Sequence, residues 1–193
     1  MSDWSLSIAA WVIQDGNYPD FERGQRAEFA VAFYAPERLE RRTGGARTAA
    51  GQGNGWYDLD GTVVGITESA WFVDCGIVVY SERPPEGIRV GDGVVGCTLL
   101  SVDDFRYFES LAQLSDAPPL VYTWDLVRIR REAGPYVLDE SGTLYVRDEA
   151  KRSLVEAAAT DAWKDDDGRA EYVFDCRLIG LPPKRTSDTA IYY

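Results

Sequence analysis

VGDGVVGCTLL, residues 90–100, carries the letters of the dinucleotide-binding motif G-x-G-x-x-G at 91–96. Whether it is that motif or the start of a strand decides the fold. The motif follows a strand and opens a helix, so that the helix N-terminal amides meet a pyrophosphate, and an acidic residue stands about 20 positions further on. Here the glycines run into Cys97-Thr98-Leu99-Leu100, whose apolar and β-branched letters continue a strand. Asp116 has a suitable separation but sits beside Pro118-Pro119, in a loop pattern. The stretch is therefore read as a Gly-Asp-Gly turn leading into a strand, with glycines that allow bending and close packing.

Period-2 alternation extends outward from this strand in both directions. In WSLSIAAWVIQ (4–14), Leu6, Ile8, Ala10 and Val12 share one side; in AEFAVAFYA (27–35), Ala27, Phe29, Val31 and Phe33 do. The charged and glycine-rich stretch 36–55 breaks the pattern and is expected to be a flexible surface loop. WYDLDGTVVGI (56–66) and AWFVDCGIVVYSE (70–82) follow as strands, the second with both faces apolar. RPPEGIRVGDG (83–93) reads as a turn, a short strand and a tight turn. In DDFRYFESLAQL (103–114), Phe105, Phe108, Leu111 and Ala112 recur at helical spacing behind aspartate caps, which predicts one short helix. Pro118-Pro119 mark the start of a strand through LVYTWDLVRIRRE (120–132). PYVLDESGTLYVRDE (135–149) is a hairpin pattern turning at Glu140-Ser141-Gly142. In KRSLVEAAATDAW (151–163) the alanines favour helix and the alternation of Val155, Ala157 and Ala159 favours strand; the hairpin turn Asp167-Gly168 tips the reading to a second hairpin with EYVFDCRLI (171–179) as its second arm.

Short strands, one short helix and no βαβ rhythm predict an all-β or β-rich α+β fold, a closed or partly open β-barrel, in a single domain over 1–193. The pieces YDLDGTVVGI, AWFVDCGIVVY, VGDGVVGCTLL, FRYFESLAQL and LVYTWDLVRI are similar in pattern to an oligonucleotide/oligosaccharide-binding (OB) barrel. That resemblance covers residues 56–131 and implies an OB-like central portion with added N- and C-terminal strands. Residues 181–193 are expected to be a C-terminal tail.

Composition narrows the chemistry. The chain of 193 residues has no histidine, and its net charge is −12, with 20 Lys+Arg against 32 Asp+Glu. Without histidine, zinc sites and histidine-based triads lose their commonest component. Three lysines, Lys151, Lys164 and Lys184, leave little scope for Schiff-base chemistry. Cys75, Cys97 and Cys176 sit singly in apolar runs and read as reduced thiols. The first residues lack the basic and apolar regions of a signal peptide, and no window suits a membrane-spanning helix, so a cytoplasmic location with no membrane contact is expected.

Candidate sites follow from residue type. The acidic turns YDLDG and DDDG invite a calcium reading, but aligned on Gly61 and Gly168 they place Trp56 and Trp163 at the first ligand position, and neither has glutamate at the twelfth. Hairpin turns are the better reading. Trp56, Asp58, Asp60, Trp163, Asp165, Asp166 and Asp167 are kept as candidate binding residues, with no metal, no cofactor and no catalytic residue assigned. Asp74 and Asp175 each precede a cysteine within an apolar run and are candidate buried carboxylates, with Arg177 or an arginine of RIRR as counter-ion. The arginine clusters ERLERR and RIRRE are interrupted by glutamate, and the acidic field repels nucleic acid.

The leading expectation is a non-enzymatic binding module for a basic macromolecular partner, most plausibly a protein, of which an immunity or antitoxin-like protein is one version. The alternatives are a small-ligand or divalent-metal enzyme built on acidic residues, and a structural module that self-associates through the C-terminal SDTAIYY (187–193).

Overall fold

A computed structural model of the protein describes residues 3–139, 141–143, 145–148 and 150–186. In chain order its elements are β1 (Asp3–Ala9), α1 (Ala10–Gln14), β2 (Arg26–Phe29), β3 (Val31–Tyr34), β4 (Glu40–Arg42), β5 (Thr48–Gly53) and β6 (Trp56–Ile66). Then come β7 (Ala70–Asp74), β8 (Val78–Glu82), β9 (Gly93–Val102), α2 (Arg106–Glu109) and β10 (Val121–Ala133). The last are β11 (Tyr136–Leu138), β12 (Tyr145–Arg147), β13 (Ser153–Ala157) and β14 (Glu171–Lys184). Strand dominates, and both α-helices are about one turn long.

Five strands close a mixed barrel. β6, β7 and β8 form an antiparallel meander, β6 pairs along β9 from Trp56↔Leu99 to Thr62↔Gly93, and β9 pairs with β3. β3 then meets β8 in parallel at Ala32↔Tyr80 and completes the circuit β6-β7-β8-β3-β9. The opening stretch is the barrel strand β9, not a phosphate loop. Its glycines act by absence of a side chain: a Cβ on Gly93 would collide with the Gly44 carbonyl, and one on Gly96 with that of Arg38. The bare backbone of β9 thus admits the strand β4, which pairs with it from Glu40↔Val95 to Arg42↔Gly93.

Outside the barrel lies an antiparallel layer in the order β13-β10-β14-β1, with β2 beside the first half of β10. β1 joins this layer to β9 through the parallel pair Ser7↔Ser101. One continuous core serves both parts. In the barrel Phe33 meets Trp71 edge to face at 5.0 Å, and in the outer layer Phe29 stacks on Trp124 at 5.5 Å. Those pairings place the tryptophans mostly inside: Trp71 and Trp124 are fully buried and Trp4 nearly so, while Trp11 and Trp163 are exposed.

Several expectations are corrected. Stretch 36–55 is not an unstructured loop: it holds a 3-10 turn at Pro36–Arg38 and the strands β4 and β5, paired to β9 and β6. Alternation in 4–14 continues only to Ala9, where the chain turns into α1 and still buries Ala10, Val12 and Ile13. AWFVDCGIVVYSE is two strands, because Gly76, at φ 107°, allows a tight turn and Asp74 pairs back to Val78. No strand forms between Arg83 and Asp92. β13 and β14 do not form a hairpin but flank β10 on opposite edges, and Asp165–Gly168 is a 3-10 turn. Residues 56–131 do not contain the whole barrel, since β3 closes it, and β10 lies outside. Leu181–Lys184 belong to β14; the self-association segment 187–193 falls outside the described residues.

Candidate functional site

The residues singled out in the sequence do not converge. Trp56 opens β6, with the Arg38 guanidinium 5.0 Å over its ring. Asp58 and Asp60 alternate with the buried Tyr57 and Leu59 and so point away from the core. Asp58 accepts a hydrogen bond from Gln52 Nε2, while Asp60 accepts from Arg42 Nη2 at 2.6 Å and from the Ala46 amide at 2.8 Å. Both aspartates tie the 40–53 segment to β6. Trp163 is exposed, and Asp167 is near Arg169 at 3.6 Å. Asp165 accepts from Arg131 at 2.6 Å and from the Tyr172 hydroxyl at 2.9 Å. Asp166 accepts from Arg147 and from the Tyr136 hydroxyl, and the Arg147 guanidinium lies 4.5 Å over the Tyr136 ring. The DDDG turn is therefore a dock for the β11–β12 hairpin.

Asp74 and Asp175 are half-buried rather than buried. Asp74 caps the β7–β8 turn by accepting from the Gly76 amide at 3.0 Å and lies 3.4 Å from Arg47. Asp175 accepts from Arg130, the second arginine of RIRR, at 2.5 Å and from Ser5 Oγ at 3.0 Å. Among the described residues no three His, Cys, Asp or Glu side chains are placed to hold a metal ion. Burial pushes the Cys75 thiol up to about 12 and the Cys176 thiol well above its usual value, so neither is a ready nucleophile.

The most deeply buried carboxylate among the described residues is Asp103, between β9 and α2. It accepts from the Tyr80 hydroxyl and, at 3.3 Å, from the Tyr107 amide at the start of α2. Burial raises its pKa to about 7; the hydrogen bonds from Tyr80, Tyr107 and Phe105 oppose that, and the neighbouring Asp104 adds to it. In the sequence it is indistinguishable from an ordinary cap, because the burial comes from β8 and β3, distant in the chain.

Tyr80 connects Asp103 to a pocket of about 360 Å³ at the parallel seam of the barrel. Ala32, Phe33 and Tyr34 of β3, Tyr80, Ser81 and Glu82 of β8, and Arg83 and Asp104 line it. The seam is short, and because its strands are parallel their C-terminal ends, Tyr34 and Glu82, open on the same side. Glu82 pairs with Arg106 at 2.9 Å, whereas Asp104 has no ion pair among the described residues. The Tyr34 hydroxyl has its pKa pushed up by burial and then by the charges of Asp104, Asp103 and Glu82. The pocket is aromatic in wall, and its charged lining residues are Glu82, Arg83 and Asp104.

A larger cleft of about 670 Å³ lies between β5, the β7–β8 turn and β14, over Trp4, Tyr57 and Ile77. Its two charged residues are already committed, Asp3 to Arg177 at 3.6 Å and Arg47 to Asp74. It offers mainly apolar and backbone surface.

The same commitment holds for nearly every cation. Among the described residues, all lysines and arginines except Arg38, Arg83, Arg89 and Arg185 lie within 4.0 Å of a carboxylate of their own chain. Arg38 rests on Trp56, and Arg185 donates to the carbonyls of Ala112, Leu114 and Ala117. No protein-family model, curated protein or solved structure matches the chain.

Proposed function

We propose that this protein is a non-enzymatic binding module, working in the cytoplasm, that recognises a basic macromolecular partner, a protein with a cationic surface. The observation that carries the reading is the commitment of its cations. Among the described residues, sixteen of the twenty lie within 4.0 Å of a carboxylate of the same chain, and the chain as a whole carries a net charge of −12. Such a field speeds encounter with a cationic partner and repels an anionic one.

The two arginine clusters support the same choice of partner. In RIRRE, Arg128 is held by Glu156, Arg130 by Asp175 and Arg131 by Asp165; in ERLERR, Arg41 is held by Asp92 and Arg42 by Asp60. Neither cluster is left as a basic stripe that could follow phosphates. An acidic-residue enzyme is disfavoured because Asp58, Asp60, Asp74 and Asp175 are spread over separate partners. No helix among the described residues is long and apolar enough to cross a membrane.

The barrel supports an OB-like reading in one respect. Like an OB barrel it closes five strands, β6-β7-β8-β3-β9, with the closing strand β3 coming from before the meander. An immunity or antitoxin-like protein remains one concrete version of the function.

The test is capture from native lysate by the purified chain at about 50 mM and about 500 mM salt, with mass spectrometry and nucleic-acid quantification of the eluate. A basic protein retained at low salt and released at high salt is the expected result. An eluate of nucleic acid, or of no macromolecule at all, overturns the reading.

A further inference from the structure

We propose that the pocket at the β3/β8 seam seats an arginine side chain of the basic partner, its guanidinium lying against Tyr34 and pairing with Asp104. The inference rests on the binding-module reading above and makes it specific. Three independent features carry it.

The first is shape and lining. A pocket of about 360 Å³ is too small for a folded segment and ample for one long side chain, whose methylenes would pass over Ala32 and Phe33 while its head reaches the rim. The second is charge. Asp104 is half-buried, lines the pocket and has no ion pair among the described residues, unlike most other half-buried aspartates of this chain. Of the charges acting on the Tyr34 hydroxyl, the two on the pocket rim, Asp104 and Glu82, are both carboxylates. The third is Tyr80. Its hydroxyl donates to the buried Asp103, and above about pH 7, where that carboxyl is ionised, the bond draws electron density into the phenol ring and strengthens the attraction of that wall for a cation.

Arginine fits better than lysine. A guanidinium is planar and weakly hydrated, stacks on tyrosine and can pair with a carboxylate through two parallel hydrogen bonds, whereas an ammonium keeps its water. The exposed Arg83 at the rim has no carboxylate within 4.0 Å among the described residues. It is a resident cation that an incoming guanidinium would displace outward.

The experiment is a titration of the ¹⁵N-labelled full chain with N-acetyl-argininamide, compared with N-acetyl-citrullinamide, its neutral isostere. Saturable shifts centred on the amides of Tyr34, Ser81 and Asp104, with at least tenfold weaker response to the citrulline compound, are expected. Asp104→Asn and Tyr34→Ala should each weaken the argininamide by about tenfold while preserving the rest of the spectrum. If either variant loses dispersion, Glu82→Gln at the same rim serves instead. Equal response to both compounds, shifts scattered over the acidic surface, or unchanged affinity in the variants overturns the proposal. Capture of one basic partner by wild type and by Asp104→Asn with equal strength also overturns it, while leaving the binding-module reading intact. Loss of that reading alone would appear as a pocket that binds argininamide in a chain that retains no basic protein.

Discussion

Asp103 is the residue where burial, charge and hydrogen bonding meet most sharply. Its folded-state pKa of about 7 stands above the ordinary 3.8, so between these values the folded chain holds a proton that the unfolded chain has released. Stability from this group is fully present near pH 4 and falls as pH rises toward 7, by up to ~4 kcal/mol. Asp103→Asn keeps an acceptor for Tyr80 and removes the titration. Urea unfolding at pH 5 and pH 8 should show a larger loss of stability in wild type than in the variant; parallel curves would mean that the group does not titrate as the burial requires. Tyr80 itself has its pKa raised well above the usual value by burial and by Asp103, which keeps its hydroxyl protonated as the donor.

At the scale of elements, the β11–β12 hairpin is the piece least able to stand alone. Two strands of three residues each form their own small sheet, and such a hairpin is marginal in water unless it is anchored. Its anchor is Arg147, whose side chain is 8% exposed and which reaches Asp166, the Tyr136 hydroxyl and the Gly134 carbonyl. Arg147→Ala leaves the partly exposed Asp166 with only the Tyr136 hydroxyl of these two donors and removes the stacked guanidinium, a loss of about 2 kcal/mol. Amide exchange should accelerate across 136–148 while β6 through β9 keep their protection. Uniform acceleration would show instead that the hairpin and barrel unfold as one unit.

For the whole molecule, closure is non-local. The meander and β9 are contiguous in sequence, yet the strand that joins β8 to β9 is β3, more than twenty residues before the meander. A fragment of residues 56–131 therefore lacks the closing strand and leaves Tyr80 and Leu100 without their β3 neighbours. It should show no dispersed NMR spectrum, and adding back a peptide of residues 25–36 should not restore it, because β1 and β14 also cover the core. A folded 56–131 fragment would make that segment an independent domain. The same non-locality joins barrel and outer layer into one core, consistent with one cooperative unit over the described residues.

What the sequence determined by itself was the local grammar. Period-2 alternation located β1, β6 and β10 and read 27–35 as one strand, which the structure divides at Ala30 into β2 and β3 with different partners; the prolines marked the start of β10, and the glycines of 91–96 identified a turn and a crowded strand rather than a phosphate loop. A hairpin at 136–147 and a short helix after β9 were equally legible, because each depends on residues a few positions apart. The acidic balance and the lack of histidine narrow the chemistry from composition alone. Tertiary structure alone decided which strands are neighbours, and so split AWFVDCGIVVYSE at Gly76, ordered 40–53 against β9 and β6, and put β10 between β13 and β14. It also decided which carboxylates matter. Asp58, Asp60, Asp165 and Asp175 looked available in the sequence and are bonded, while Asp103 and Asp104 looked like helix caps and line or support the seam pocket. The physical reason is that hydrogen bonding along a strand and burial of a charge are set by whatever packs against the residue, and such partners can be distant in the chain: Tyr80 is 23 residues from Asp103, and Ser5 is 170 residues from Asp175.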